Sequence, residues 1–117
     1  MTGRRRGLIV GAVMFLAGSQ AAEHASAQQK GADMEEGRKL FSVGAPPAPA
    51  CALCHALKDA GATGAVGPDL DDLRPDAERI EKAVRNGMGP MPAFKSLSDA
   101  QIQLLTRYVS KSVGTAP

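Results

Sequence analysis

The sequence predicts an all-α fold, a small domain of about four short helices, and three observations support this prediction. Near the C-terminus, Ile102, Leu105 and Val109 recur at positions i, i+3 and i+7, which is the spacing of one helical face. Clusters of glycine and proline separate the helical segments and are typical of loops. No alternation of apolar and polar residues surrounds Cys51, so no strand is indicated there.

The N-terminus has the three parts of a secretory signal peptide. Three arginines at positions 4–6 precede an apolar run at 8–17, and Ala-Ser-Ala at 25–27 resembles a cleavage site. The apolar run is too short for a helix to span a bilayer of roughly 30 Å. We expect residues 1–27 to be a leader that the general secretory route removes after Ala27, which leaves a periplasmic domain with no stable membrane anchor. An uncleaved anchoring leader and twin-arginine export are the alternatives.

The predicted mature domain, residues 28–117, has 11 basic and 11 acidic side chains and therefore a formal charge of zero. The charge of +2 on the whole chain comes from the leader. Because no basic stripe with interleaved aromatic residues is left, nucleic acid is not an expected partner. The aromatic residues of the domain are Phe41, Phe94 and Tyr108, so its core is thin.

Cys51-Ala-Leu-Cys54-His55 has the C-x-x-C-H spacing of a haem c attachment site. Two cysteines on one helical turn can each form a thioether to a haem vinyl group, and the next residue, His55, can bind the iron. His55 is also the one histidine after residue 27. A thioredoxin-like motif would need a βαβ context, a zinc site would need more ligands, and a disulfide would close a very small loop. We therefore predict one covalently attached haem c.

The first two helices are predicted around this motif. The first covers residues 33–43, with Asp33 as its N-cap. Three prolines within residues 45–50 end it, and a proline-rich recognition site is the alternative interpretation of that stretch. The motif helix continues to about Asp59 and is followed by a glycine-rich loop.

Two more helices follow the loop. One runs from Pro75 to Asn86 and ends at Gly87. Acidic and basic side chains alternate across residues 69–85, which indicates a solvated face or, alternatively, a docking patch. The last helix begins at the capping box Ser98-Asp-Ala-Gln101 and ends near Gly114.

These segments together resemble the small monohaem class I cytochromes c over nearly the whole mature chain. Gly37-x-x-Leu40-Phe41 is similar to the first helix of that family. The resemblance implies the small cytochrome c fold, with helices wrapped around one haem. It also implies that Gly37 lets the last helix cross closely, with Tyr108 and Leu105 as the crossing partners.

The resemblance extends to both axial sides of the haem. Gly67-Pro68 resembles the loop in which a proline carbonyl accepts the Nδ1–H of the proximal histidine, here His55. Residues 86–92, Asn-Gly-Met-Gly-Pro-Met-Pro, resemble the loop that supplies a distal methionine. Met91 stands directly before a proline and is the expected second iron ligand, with Met88 as the alternative.

A narrower resemblance is to the cytochrome subunit of bacterial sulfite dehydrogenases. It is carried by residues 51–68, by Ala-Val-Arg-Asn-Gly at 83–87 and by Met-Pro-Ala-Phe at 91–94. It implies an electron carrier, not an enzyme, that accepts single electrons from a molybdenum sulfite dehydrogenase and passes them to the respiratory chain. The alternatives are a general carrier between another dehydrogenase and a terminal oxidase, or an open-site haem peroxidase or sensor.

Overall fold

The computed structural model describes residues 18–116 and confirms the all-α prediction for them. The arginine cluster and apolar run of the expected leader lie outside these residues. The helices are α1 (Gly18–Val43), α2 (Leu70–Leu73), α3 (Ala77–Asn86) and α4 (Asp99–Ser112). Between α1 and α2 lie two 3₁₀ turns, Cys51–Leu53 and Lys58–Ala60, and a short antiparallel pair of strands, β1 (Ala56–Leu57) and β2 (Ala62–Thr63).

The core lies where α1 crosses α4. At the crossing, the rings of Phe41 and Tyr108 are 6.1 Å apart between centroids and tilted by 56°. Gly37 faces Tyr108, as predicted, but its second close neighbour is the backbone of Leu104 and not Leu105. Leu105 instead belongs to the buried core cluster.

Hydrogen bonds at the helix starts define α3 and α4. The Asp76 carboxylate accepts from the Arg79 amide at 2.8 Å, so α3 begins two residues later than predicted. The predicted capping box of Ser98 and Gln101 is confirmed, with its two bonds at 2.9 and 3.2 Å. Because capping residues satisfy backbone donors that have no partner inside the helix, these short segments start at defined residues.

Arg85 joins the end of α3 to the start of α4. Its guanidinium donates to Asp99 at 2.6 Å and to Glu81 at 2.8 Å. These two hydrogen bonds, that to Asp99 above all, raise the pKa of Arg85. The two helices are therefore linked by charge as well as by apolar packing.

Two helix predictions were wrong. The chain is already helical from Gly18, and Asp33 does not start the helix, because residues 18–32 are rich in alanine, glutamine and other good helix formers. Asp33 is no cap, and its carboxylate lies 3.3 Å from Arg107 of α4. The predicted motif helix to Asp59 is also absent, since the chain turns into β1 after His55 and thereby buries Leu57 completely.

Within residues 18–116, no helix combines the length and the apolar character needed to cross a membrane.

Candidate haem site

The site begins at a 3₁₀ turn that brings the two cysteines together. The amides of Cys54 and His55 both donate to the Cys51 carbonyl at 3.0 Å. In a 3₁₀ turn, residues i and i+3 lie above one another, so Cys51 and Cys54 share one side of the turn. Both thiols are free, with Cys51 half-buried and Cys54 exposed.

The pKa of the Cys51 thiol is higher than that of the attacking cysteine in thiol–disulfide exchange. Burial, and to a smaller degree the neighbouring Cys54, raise its pKa to about 11, although a backbone hydrogen bond acts in the opposite direction. Redox-active C-x-x-C motifs instead lower the pKa of their attacking cysteine to expose a thiolate. A raised pKa therefore does not favour Cys51 as the attacking thiolate of a disulfide-exchange motif.

His55 is held in one tautomer by Pro68. Its Nδ1 lies 2.7 Å from the Pro68 carbonyl oxygen. Because a carbonyl can only accept, Nδ1 carries the proton and the lone pair is on Nε2. The hydrogen bond that the sequence resemblance implied is thus present, and it leaves Nε2 as the nitrogen able to bind a metal.

Gly67 gives the His55 ring its space. A Cβ atom on Gly67 would stand 2.5 Å from Cε1 of His55 and 2.9 Å from Nδ1. The Gly67 amide also donates to the Cys54 carbonyl at 2.7 Å. A side chain at residue 67 would therefore have to displace either the imidazole or the loop that binds it.

The second candidate loop is a tight turn after α3. Met88 and Met91 pair across it through two backbone hydrogen bonds of 3.0 Å. Gly87 opens the turn with φ +73°, and a Cβ there would lie 2.7 Å from the Met91 carbonyl. Met91 is half-buried and packs against the core, whereas Met88 is 57% exposed.

Comparison with known proteins identifies the family. A family model described as cytochrome C oxidase, cbb3-type, subunit III matches residues 32–109. The chain belongs to this cytochrome family.

Individual cytochromes match over most of the described domain. Cytochrome c6 of Leptolyngbya boryana is 39% identical over 83 residues, covering 67% of this chain and 91% of the relative. Cytochrome c6 of Cyanidioschyzon merolae is 34% identical over 86 residues, covering 67% of this chain and 73% of the relative. The crystal structure of the c-type cytochrome SorU from Sinorhizobium meliloti is 49% identical with a TM-score of 0.66, covering 72% of this chain and 94% of that one.

The protein is thus a c-type cytochrome, an electron carrier with covalently bound haem c, and its residues fit that cofactor. Cys51 and Cys54 supply two unpaired thiols in the attachment motif, and His55 supplies a nitrogen of defined tautomer. The zinc alternative has no support in residues 18–116, where no three His, Cys, Asp or Glu side chains cluster around a common point.

The turn at residues 87–93, which carries Met88 and Met91, has the same construction as a second turn that follows α1. Residues 44–50 and 87–93 share the pattern Gly-x-x-Pro-x-Pro-Ala. Gly44 also has a positive φ, +82°, and the turn closes through an Ala45–Ala48 bridge equivalent to that of the methionines. Ala48, the counterpart of Met91, is buried. In both copies the fifth residue is turned away from solvent.

Sequence reasoning missed the structural roles of several acidic residues. Asp69 caps α2, a helix that was not predicted, and Asp71 accepts from the Lys58 amide at 2.7 Å. Asp59 accepts from the buried Tyr108 hydroxyl at 2.6 Å. The acidic stretch is therefore more than a solvated face. The available signal was Asp69 directly before Leu70-Asp-Asp-Leu73, a capping residue ahead of a helical turn.

Proposed function

We propose that this cytochrome carries single electrons in the periplasm from a molybdenum-dependent sulfite dehydrogenase to the respiratory chain, ending at a terminal oxidase. The electron-transfer part is supported most strongly by one observation, the 2.7 Å hydrogen bond that orients His55 toward Pro68. The choice of donor is supported by the resemblance of residues 51–68, 83–87 and 91–94 to sulfite dehydrogenase cytochromes. It is consistent with the 49% identity to a c-type cytochrome over 94% of that chain.

Within this proposal, five residues hold the haem. Cys51 and Cys54 would form the two thioethers, His55 Nε2 and the Met91 sulfur would bind the iron, and the Pro68 carbonyl would orient the histidine. Met91 is preferred over Met88 because it stands directly before a proline, as the ligand does in the family that the sequence resembles, and its position between two prolines makes the backbone rigid. A soft thioether opposite a histidine raises the reduction potential.

The haem supplies an iron centre that gains and loses one electron. The protein restricts the motion of the ligand side chains while the charge of the iron changes. The Pro68 carbonyl keeps the His55 proton on Nδ1, and the paired turn at 87–93 restricts the backbone of Met91. If His55 and Met91 both bind the iron, no ligand site would be open to oxygen or peroxide, which favours electron transfer over peroxidase or sensor chemistry.

We expect the cytochrome to bind its redox partners briefly and through a small contact area. Residues 28–117 have no formal net charge, so long-range steering by overall charge is weak. Redox partners that meet and separate rapidly typically bury less than about 1,200 Å².

The decisive experiment mixes the purified ferric cytochrome with the sulfite dehydrogenase of the same cell and follows haem reduction in the visible spectrum. Rapid reduction that requires sulfite is the expected result. Matched controls omit sulfite or replace the enzyme with unrelated dehydrogenases. Equal reduction by those dehydrogenases would favour the general carrier, and no reduction by the sulfite enzyme would overturn the proposed donor.

The periplasmic assignment includes removal of residues 1–27. Mass spectrometry of the cytochrome from its native host is expected to give a chain that starts at Gln28 and carries one haem, in the periplasmic fraction. An intact chain in the membrane fraction would instead support the anchored-leader alternative.

A further inference from the structure

Two segments of the site run side by side in the same direction, and three hydrogen bonds join them. Each bond links residues thirteen positions apart and measures 2.7 Å. The three are Gly67 amide to Cys54 carbonyl, His55 Nδ1 to Pro68 carbonyl, and Lys58 amide to Asp71 Oδ2. The constant separation means that residues 54–58 and 67–71 are held in one register.

The Asp71 bond is the only one of the three made by a carboxylate. It lies at the far end of the register, three residues beyond the His55–Pro68 pair on each segment. Hydrogen bonds from an amide to a charged carboxylate are about twice as strong as neutral ones. Between the two bonds, Leu57 of β1 and Leu70 of α2 are both buried in one core cluster, and β1 contacts α2.

We propose that Asp71 is a positioning residue for the proximal histidine. By holding Lys58, its carboxylate keeps the two segments in register and so keeps the Pro68 carbonyl against Nδ1 of His55. A firm Nδ1–H···O bond makes the imidazole a more basic ligand, which favours ferric iron and lowers the reduction potential. This inference rests on the proposed ligation of iron by His55.

The chain offers two matched variants. Asp71→Asn removes the charge but keeps a side-chain oxygen that can accept from the Lys58 amide. Asp72→Ala removes the same charge from the neighbouring residue, whose carboxylate accepts no hydrogen bond among residues 18–116. Asp71 is half-buried and Asp72 is exposed, and neither side chain belongs to the buried core cluster, so both variants leave that core unchanged.

The experiment measures two quantities on haem-loaded protein, the reduction potential and, in the ferrous form, amide and ring proton exchange by NMR. For Asp71→Ala we expect a higher potential, and exchange of the Lys58 amide and of the His55 Nδ1 proton faster by about tenfold. Asp71→Asn should restore most of both properties, and Asp72→Ala should match the parent protein.

The outcomes separate this inference from the proposed function. If Asp71→Asn or Asp72→Ala raises the potential as much as Asp71→Ala, the effect is one of charge and the positioning role is wrong. An unchanged exchange rate of the His55 Nδ1 proton in Asp71→Ala would also overturn the positioning role. Nitrogen NMR shifts that show no iron at His55 in the parent protein would instead refute the proposed ligation.

Discussion

Gly37 of α1 lies directly against Tyr108 of α4. A Cβ atom on Gly37 would stand 2.5 Å from the Tyr108 Cβ and 2.6 Å from the Leu104 carbonyl oxygen. Both neighbours belong to the rigid part of α4 and cannot rotate away. The helix pair therefore crosses at a distance that only glycine allows, for reasons of space and not of backbone conformation.

Replacement of Gly37 by alanine is expected to destabilise the cytochrome. Overpacking at a close contact lowers the free energy of unfolding by about 1–3 kcal/mol, even though alanine favours helix. Gly31 in the same helix is the control, because a Cβ there meets nothing within 4 Å. Gly31→Ala should be neutral or stabilising by up to about 1 kcal/mol in denaturant titration. Equal stability of the two variants would mean that the close crossing does not exist.

Gly67→Ala is expected to disturb the proximal histidine. Its Cβ would lie 2.5 Å from the His55 ring, so the ring or the Pro68 loop must move. We expect a lower yield of haem-loaded protein and an altered reduction potential. Val66→Ala is the neighbouring control, since Val66 is 77% exposed. A Gly67→Ala protein with the parent's spectrum and potential would contradict the tight fit around His55.

Met91 and Met88 can be distinguished by their spectra. Ferric iron bound to a methionine sulfur has a weak absorption at the red end of the visible spectrum. Met91→Ala should abolish this band and lower the potential, because the soft ligand is lost. Met88→Ala should keep both, since Met91, which directly precedes a proline, is the proposed ligand. The opposite pattern would assign the iron ligand to Met88.

Tyr108 is expected to make stability depend on alkaline pH. Burial, followed by the hydrogen bond to Asp59, raises its pKa in the folded protein. The unfolded tyrosine ionises near pH 10, so above about pH 10 the folded state holds more protons than the unfolded state. The free energy of unfolding therefore falls as pH rises through that range.

The Tyr108 prediction is checked by titration. Tyr108 is the only tyrosine, so phenolate absorption reports on one group. It should stay protonated past pH 10 until the protein unfolds. Tyr108→Phe should lose about 1 kcal/mol of stability at pH 7, through the lost hydrogen bond, but should show a flatter decline above pH 10. Ionisation of folded Tyr108 at an ordinary pKa would refute this account.

Local signals predicted the fold best where they act within one turn of chain. The capping box of Ser98 and Gln101 and the apolar stripe of α4 are both as expected, because caps and periodicity are properties of neighbouring residues. The first helix was placed wrongly at Asp33 because an aspartate can cap a helix or, as here, lie inside one and pair with another helix. Only the packed structure distinguishes these two uses.

In the haem motif, too, some features follow from neighbouring residues and others depend on packing against distant ones. Cys51-x-x-Cys54-His55 and Gly67-Pro68 were sufficient to predict the cofactor and the histidine's hydrogen bond. They did not predict that the chain extends after His55, since burial of Leu57 decides that and burial depends on distant residues. Asp71 looked like one more solvated charge until the structure brought it to the Lys58 amide.

Residue types and short motifs were enough to predict the covalent haem of this cytochrome and the residue at which its last helix starts. Contacts between distant segments could be known only from the packed structure. Packing brings Tyr108 against Gly37, Met91 against the core and the Asp71 carboxylate to the Lys58 amide. The physical reason is that residue type sets what a side chain can bond to, whereas packing of distant segments sets which partner it meets.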